Sequence, residues 1–165
     1  FRGWADARMG QPRDGYRRIR DAYEDNTRLG MLAGGSEVLG YATEALVLAG
    51  DWDGAQHELE DALRVADTLG ERVYLPQLFV LQGAIARGRG DRAAAEAAIR
   101  RAIAEARAQE APWLELMALV ELCDRHGATV KDRRALAALV DQLPEARDTS
   151  AVATARALLD KAKSA

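Results

Sequence analysis

The glycines at positions 10, 50 and 90 stand forty residues apart, and each is followed by the same amphipathic phrase. In the clearest copy, Gly50-Asp51-Trp52 leads into Ala55, Leu59, Ala62 and Leu63, spaced i, i+4, i+7 and i+8 along one helix face. Gly90-Asp91 leads in the same way into Ala95, Ile99, Ala102 and Ile103, and Gly10 into Gly15, Ile19, Ala22 and Tyr23. A looser fourth copy starts at Gly127. A fixed period of this length marks a chain built from one supersecondary unit, each copy hiding its apolar face against the next. Those faces are expected to be nearly buried.

Punctuation divides each period into two helices. Glycines close them at 10, 30, 50 and 70, and Asp51 can cap the helix that follows Gly50. Pro12, Pro76 and Pro112 fall in first turns, where a missing N–H costs nothing. The helices are expected over 1–9, 12–29, 31–49, 52–69, 73–88, 91–109, 112–126 and 131–143. Gly34, Gly35 and Gly40 weaken the start of the third, so its ordered part is expected near Ser36, with Ser36 as its cap. Pro144 breaks the chain, and Asp148 or Thr149 can cap a last helix with Val152, Ala155, Leu158 and Leu159 inside. The expected fold is all-α: a right-handed α-solenoid of antiparallel helix pairs with a C-terminal capping helix. It forms a single helical repeat domain over 1–165, with repeats of approximately 1–30, 31–70, 71–110 and 111–143 and the cap at 149–162. The cap covers the end that no further repeat would bury.

Composition agrees with such a core. The chain is 48% hydrophobic but only 5% aromatic, so Ala, Leu, Val and Ile must fill it, and small residues let helices approach closely. The net charge is -3, with eleven acids against eight arginines in 51–110 and balanced flanks. No basic stripe with interleaved aromatics occurs, so direct nucleic-acid binding is not expected. The single cysteine, Cys123, excludes an internal disulfide. No apolar run reaches the roughly 18 residues of a membrane span, and no signal peptide opens the chain. The expected setting is cytoplasmic. The start at Phe1-Arg2-Gly3-Trp4, part-way through an expected helix and without methionine, is what a piece of something longer is expected to show.

Motifs that would carry chemistry fail on inspection. Asp51-x-Asp53-Gly54 opens like a calcium loop, but the fifth and twelfth positions are Ala55 and Ala62. His57-Glu58 lacks the second histidine of a zinc-protease helix, and no Gly-Lys-Ser/Thr follows the glycines at 34, 35 and 40. Cys123 and His126 read as a core thiol and a histidine at a helix end, favoured by the helix dipole. Glu58, Glu60 and Asp61 read as a solvated face, and the tryptophans as wedges at helix ends. Neither an enzyme nor a bound metal or cofactor is expected.

The order Gly50, Asp51, Trp52, Ala55, Leu59, Ala62, Leu63 resembles the second half of a tetratricopeptide repeat. The period is about six residues longer than the usual ~34. Further likenesses are Gly3-Trp4-Ala5-x-Ala7-x-x-Gly10, Ala62-Leu63-x-x-Ala66-x-x-x-Gly70-Glu71-Arg72, Ala95-Glu96-Ala97-Ala98-Ile99-Arg100-Arg101-Ala102-Ile103, and Asp148-Thr149-Ser150 with Ala155-Arg156-Ala157-Leu158-Leu159-Asp160. Together they resemble the C-terminal helical repeats of bacterial signal-transduction ATPases joined to adenylate/guanylate cyclase or transcriptional-regulator domains. The resemblance implies a non-catalytic interaction scaffold whose first helices line a concave groove for a peptide or domain, including one of the parent chain. The alternative is a small-ligand sensor regulating an attached ATPase, cyclase or DNA-binding domain. Counted back from the corner glycines, the implied groove residues are Glu37, Tyr41 and Glu44, then Gln77 and Arg87, then Met117, Glu121 and Arg125. Acids in the second and fourth repeats around an arginine in the third suit a peptide with basic ends and an acidic centre, or a zwitterionic small molecule.

Overall fold

The computed structural model describes residues 1–146 and 148–163; Arg147, Ser164 and Ala165, which the expected 1–165 domain includes, lie outside them. Among the described residues nine α-helices follow one another: α1 (Arg2–Arg8), α2 (Pro12–Arg28), α3 (Gly35–Leu48), α4 (Trp52–Leu69), α5 (Leu75–Gly88), α6 (Arg92–Ala108), α7 (Pro112–Arg125), α8 (Val130–Gln142) and α9 (Ser150–Lys163). A short 3-10 turn, Pro144–Ala146, precedes α9. There is no strand among the described residues, so the chain is all-α. No helix is long and apolar enough to cross a membrane, again among the described residues.

Local chemistry sets the helix ends. Asp51 and Asp91 each accept a hydrogen bond from a backbone N–H three residues on, at Gly54 and Ala94. Thr129 and Asp132 close a reciprocal capping box at the start of α8. Two series of left-handed residues punctuate the chain at forty-residue intervals. Gly10, Gly50 and Gly90 form one, at φ 93°, 71° and 84°. Gly30 and Gly70 begin the other at φ 75° and 68°, and its third member is Glu110 at φ 52°. A side chain there costs roughly 1–2 kcal/mol that glycine avoids.

Consecutive helices are joined by connections of only three to six residues between α1 and α8, so neighbours pack as antiparallel pairs. Odd-numbered helices also pack on one another, α1 on α3, α3 on α5, α5 on α7 and α7 on α9. The even-numbered layer is linked instead by long polar side chains, Arg20 to Glu58 between α2 and α4, and Arg100 to Asp132 between α6 and α8. Burial follows the sequence period: Ile19, Leu59, Ile99 and Leu139 are all buried, as are Leu39, Phe79 and Leu119.

Seven of the eight residues in the two clearest faces are buried, at positions 55, 59, 62, 95, 99, 102 and 103. Leu63 differs. It is half-buried at the joint between two core clusters, while Ala66 completes the α4 face. Ala22 is exposed, because seven-residue α1 covers only the first turns of α2.

Two polar residues also depart from expectation. Glu58 is not on a solvated face: it is 3% exposed and takes hydrogen bonds from the Tyr16 hydroxyl (3.1 Å) and the Arg20 guanidinium (2.9 Å). Burial and then Glu58 push the Tyr16 phenol up. Ser36 is not a cap either. The α3 N-cap is Gly34, in the left-handed region, and Ser36 is fully buried in the first turn.

The cap for α3 comes instead from the connection between α4 and α5. The Glu71 carboxylate accepts the Gly34 N–H (2.6 Å), the Ser36 N–H (2.9 Å) and the Ser36 hydroxyl (2.5 Å). Burial opposes its charge, but hydrogen bonds from Ser36, Gly34 and Gly35 hold it below the usual carboxylate range.

Candidate binding cleft

The position of α1 fixes one wall of the cleft. A Cβ on Gly15 would lie 2.4 Å from the Gly3 carbonyl oxygen, and one on Gly3 would lie 2.7 Å from that of Gly15. Only two glycines permit this crossing. It brings Trp4 and Arg8 of α1 against α3, where Glu44 receives the Trp4 indole N–H at 2.8 Å and Arg8 at 2.5 Å. The Arg8 guanidinium also lies over the Trp4 ring, 5.2 Å from its centroid.

The opposite wall comes from α3 and the start of α5. The Tyr41 hydroxyl donates to Glu37 at 2.6 Å, one turn earlier on α3. The Tyr41 ring lies 5.9 Å from that of Trp4, tilted by 54°. Tyr74, in the connection before α5, lines the cleft near the Glu37 carboxylate. Burial, followed by that carboxylate, pushes Tyr74 up to about 12 and raises Tyr41 further. The Tyr41 phenol, protonated at neutral pH, donates to Glu37.

Between these walls lies a cleft of about 340 Å³. Its lining also includes Gln77, Val80 and Leu81 of α5 and Met117 of α7. Four odd-numbered helices thus contribute to one concavity. The arrangement offers aromatic faces, carboxylate acceptors and apolar area.

The structure divides the residues expected in the groove into two groups. Glu37, Tyr41, Glu44, Gln77 and Met117 all line the cleft. Arg87, Glu121 and Arg125 do not. They form their own cluster, with Glu121 taking Arg87 at 3.1 Å and Arg125 at 3.4 Å, and Asp124 lying 3.3 Å from Arg125. Arg87, the expected central cation, is thus already paired with Glu121.

Trp4, Arg8 and Tyr74 were not among the expected residues. The first is reachable by the same count: forty residues before Glu44 is Trp4. No such signal marks Tyr74, which precedes a helix rather than lying in one.

The remaining chemically capable groups lie elsewhere. Cys123 is half-buried against the α7–α9 core, where burial pushes its thiol up. His126 ends α7 with a buried Nε2 that has no hydrogen-bond partner among the described residues. Among those residues no group of three or more His, Cys, Asp or Glu is placed to hold a metal ion. The chain matches no family model, no curated protein and no solved structure.

Proposed function

We propose that the chain is a non-catalytic protein-interaction module, a right-handed α-solenoid of tetratricopeptide-like helix pairs that binds a peptide or domain segment across its odd-numbered helices. The observation that carries this reading is the cleft itself, whose lining is drawn from α1, α3, α5 and α7. A surface crossing four successive helices suits an extended chain better than a compact metabolite. The forty-residue recurrence of left-handed corners and of buried Ile19, Leu59, Ile99 and Leu139 supports the repeat architecture. Direct packing among odd helices, with even helices bridged by long side chains, curves such a row toward the odd face and makes it concave.

The likeness over Ala95–Ile103 and Asp148–Asp160 supports a parent protein of the bacterial signal-transduction ATPase kind, with the module as its cytoplasmic scaffold. A second reading, a small-ligand sensor, is favoured by the size of the cleft, which lies at the lower end of the ~300–1,000 Å³ typical of small-molecule sites.

Selection of peptides from a random display library on the immobilised chain tests the module reading. Enriched peptides should lose at least about tenfold in affinity to Met117→Glu, which charges the cleft lining. They should bind Asp67→Lys, altered on the exposed face of α4, as they bind the wild type. No enrichment, or binding indifferent to Met117→Glu, overturns the reading.

A further inference from the structure

We infer that the cleft holds a guanidinium side chain from the partner, stacked on Tyr41 and Tyr74 and paired with Glu37. The inference rests on the cleft being the module's binding surface and adds the chemistry of what enters it. Arg8 supplies the internal precedent: its guanidinium lies on the Trp4 ring and pairs with Glu44. The other half of the cleft repeats those parts, with two aromatic rings and a carboxylate in Tyr41, Tyr74 and Glu37. Among the described residues no cation lines that half. Glu37 accepts the Tyr41 hydroxyl and, among those residues, has no ion pair.

Charge points the same way. The ionisable carboxylates and cations lining the cleft are Glu37, Glu44 and Arg8, two negative charges against one positive. The neighbouring cleft, of about 380 Å³ between α1, α2 and α3, shares Glu37, Trp4 and Tyr41 but also contains Arg2 and Arg18, so it carries the opposite balance. A cation therefore belongs on the Gln77 and Met117 side. A guanidinium fits better than an ammonium. It is planar, weakly hydrated and forked, so it stacks on rings and meets a carboxylate together, whereas an ammonium is a strongly hydrated point charge. The Tyr41 phenol fixes the Glu37 carboxylate before the ligand arrives, which lowers the ordering cost of binding.

The test is a titration of the isotope-labelled chain with N-acetyl-arginine amide, followed through its amide and indole N–H resonances. Its neutral isostere, N-acetyl-citrulline amide, and N-acetyl-lysine amide are the comparison ligands. The arginine probe should shift the Trp4 indole and the α3 amides near Glu37 saturably in the millimolar range, the lysine probe more weakly, and the citrulline probe not at all. Glu37→Gln, which keeps an acceptor for the Tyr41 hydroxyl, should weaken the arginine probe by about fivefold. Tyr74→Ala should weaken it too, and gives a second reading if Glu37→Gln shifts the melting temperature. Equal response to citrulline, lysine binding as tight as arginine, unchanged affinity in both variants, or no saturable shift overturns the inference. Display-selected peptides that lack arginine yet depend on Met117 overturn the guanidinium site alone. An arginine probe that binds while no peptide is enriched overturns the module reading alone.

Discussion

Removing the Glu71 carboxylate should unfasten α3 from the α4–α5 connection, and the size of the effect can be worked from its contacts. Glu71 accepts three hydrogen bonds at the α3 N-terminus, and Ser36, which donates two of them, is fully buried. In Glu71→Ala the Ser36 amide and hydroxyl lose their acceptor without gaining water. Loss of a helix cap costs about 0.5–2 kcal/mol, and an orphaned buried donor about 1–3 kcal/mol. Because Glu71 itself is partly exposed, we expect about 2–3 kcal/mol in total at pH 7. For a domain of this size that lowers the melting temperature by roughly 4–12 °C. Glu71→Gln keeps one acceptor oxygen and should cost about half as much.

The pH dependence separates a charged cap from simple packing. The folded state holds Glu71 below its ordinary value of 4.5, so its contribution is complete above that value. It disappears as the pH falls through the lower folded-state value. Urea unfolding of wild type and Glu71→Gln should therefore differ at pH 7 and converge progressively below about pH 4.5. A gap that persists undiminished in acid would refute the charged-cap argument. An unchanged urea midpoint in Glu71→Ala would refute the contact.

Leu59→Ala, at a fully buried position of the α4 face, should cost about 2–5 kcal/mol in urea unfolding. A midpoint that does not move would put the helical register in error. Glu110→Gly relieves a side chain from a left-handed corner where Gly30 and Gly70 hold the equivalent positions, and should raise stability by about 0.5–1 kcal/mol. A lower melting temperature would show that the Glu110 side chain contributes more than its backbone costs. Gly15→Ala should be severe, because its new methyl meets the Gly3 carbonyl oxygen rather than a movable side chain. We expect loss of about 2 kcal/mol or more, together with a displaced α1 and a shifted Trp4 indole resonance. A chain as stable as wild type would remove the argument for the glycine crossing.

The helix boundaries were legible because their causes are local. Asp51 sits three residues before the N–H it caps, Pro12 and Pro112 open their own helices, and Gly70 carries the left-handed angle that ends α4. What sequence could not show is pairing across the fold. Ser36 looks like a cap because serine often is one, but the acceptor at that helix start is Glu71, thirty-five residues on. Glu58 sits forty residues before buried Ala98, in a period where an alanine suffices at one copy and a glutamate must find Tyr16 and Arg20 at another. Within the site, counting along the repeat brought Glu37, Tyr41, Glu44, Gln77 and Met117 to one cleft. The same count could not reveal that Glu121 would take Arg87, since charges on neighbouring helices neutralise each other at spacings unrelated to the repeat.

The central claim, that the odd-numbered helices form the binding surface, is tested most directly by mapping a display-selected peptide onto the chain through its backbone amide resonances. Shifts should concentrate on α1, α3, α5 and the Met117 region of α7, together with the Trp4 indole, and leave the outer faces of α2, α4 and α6 unchanged. Shifts confined to α2, α4 and α6, with the Trp4 indole and the Glu37–Glu44 segment unmoved, would contradict it.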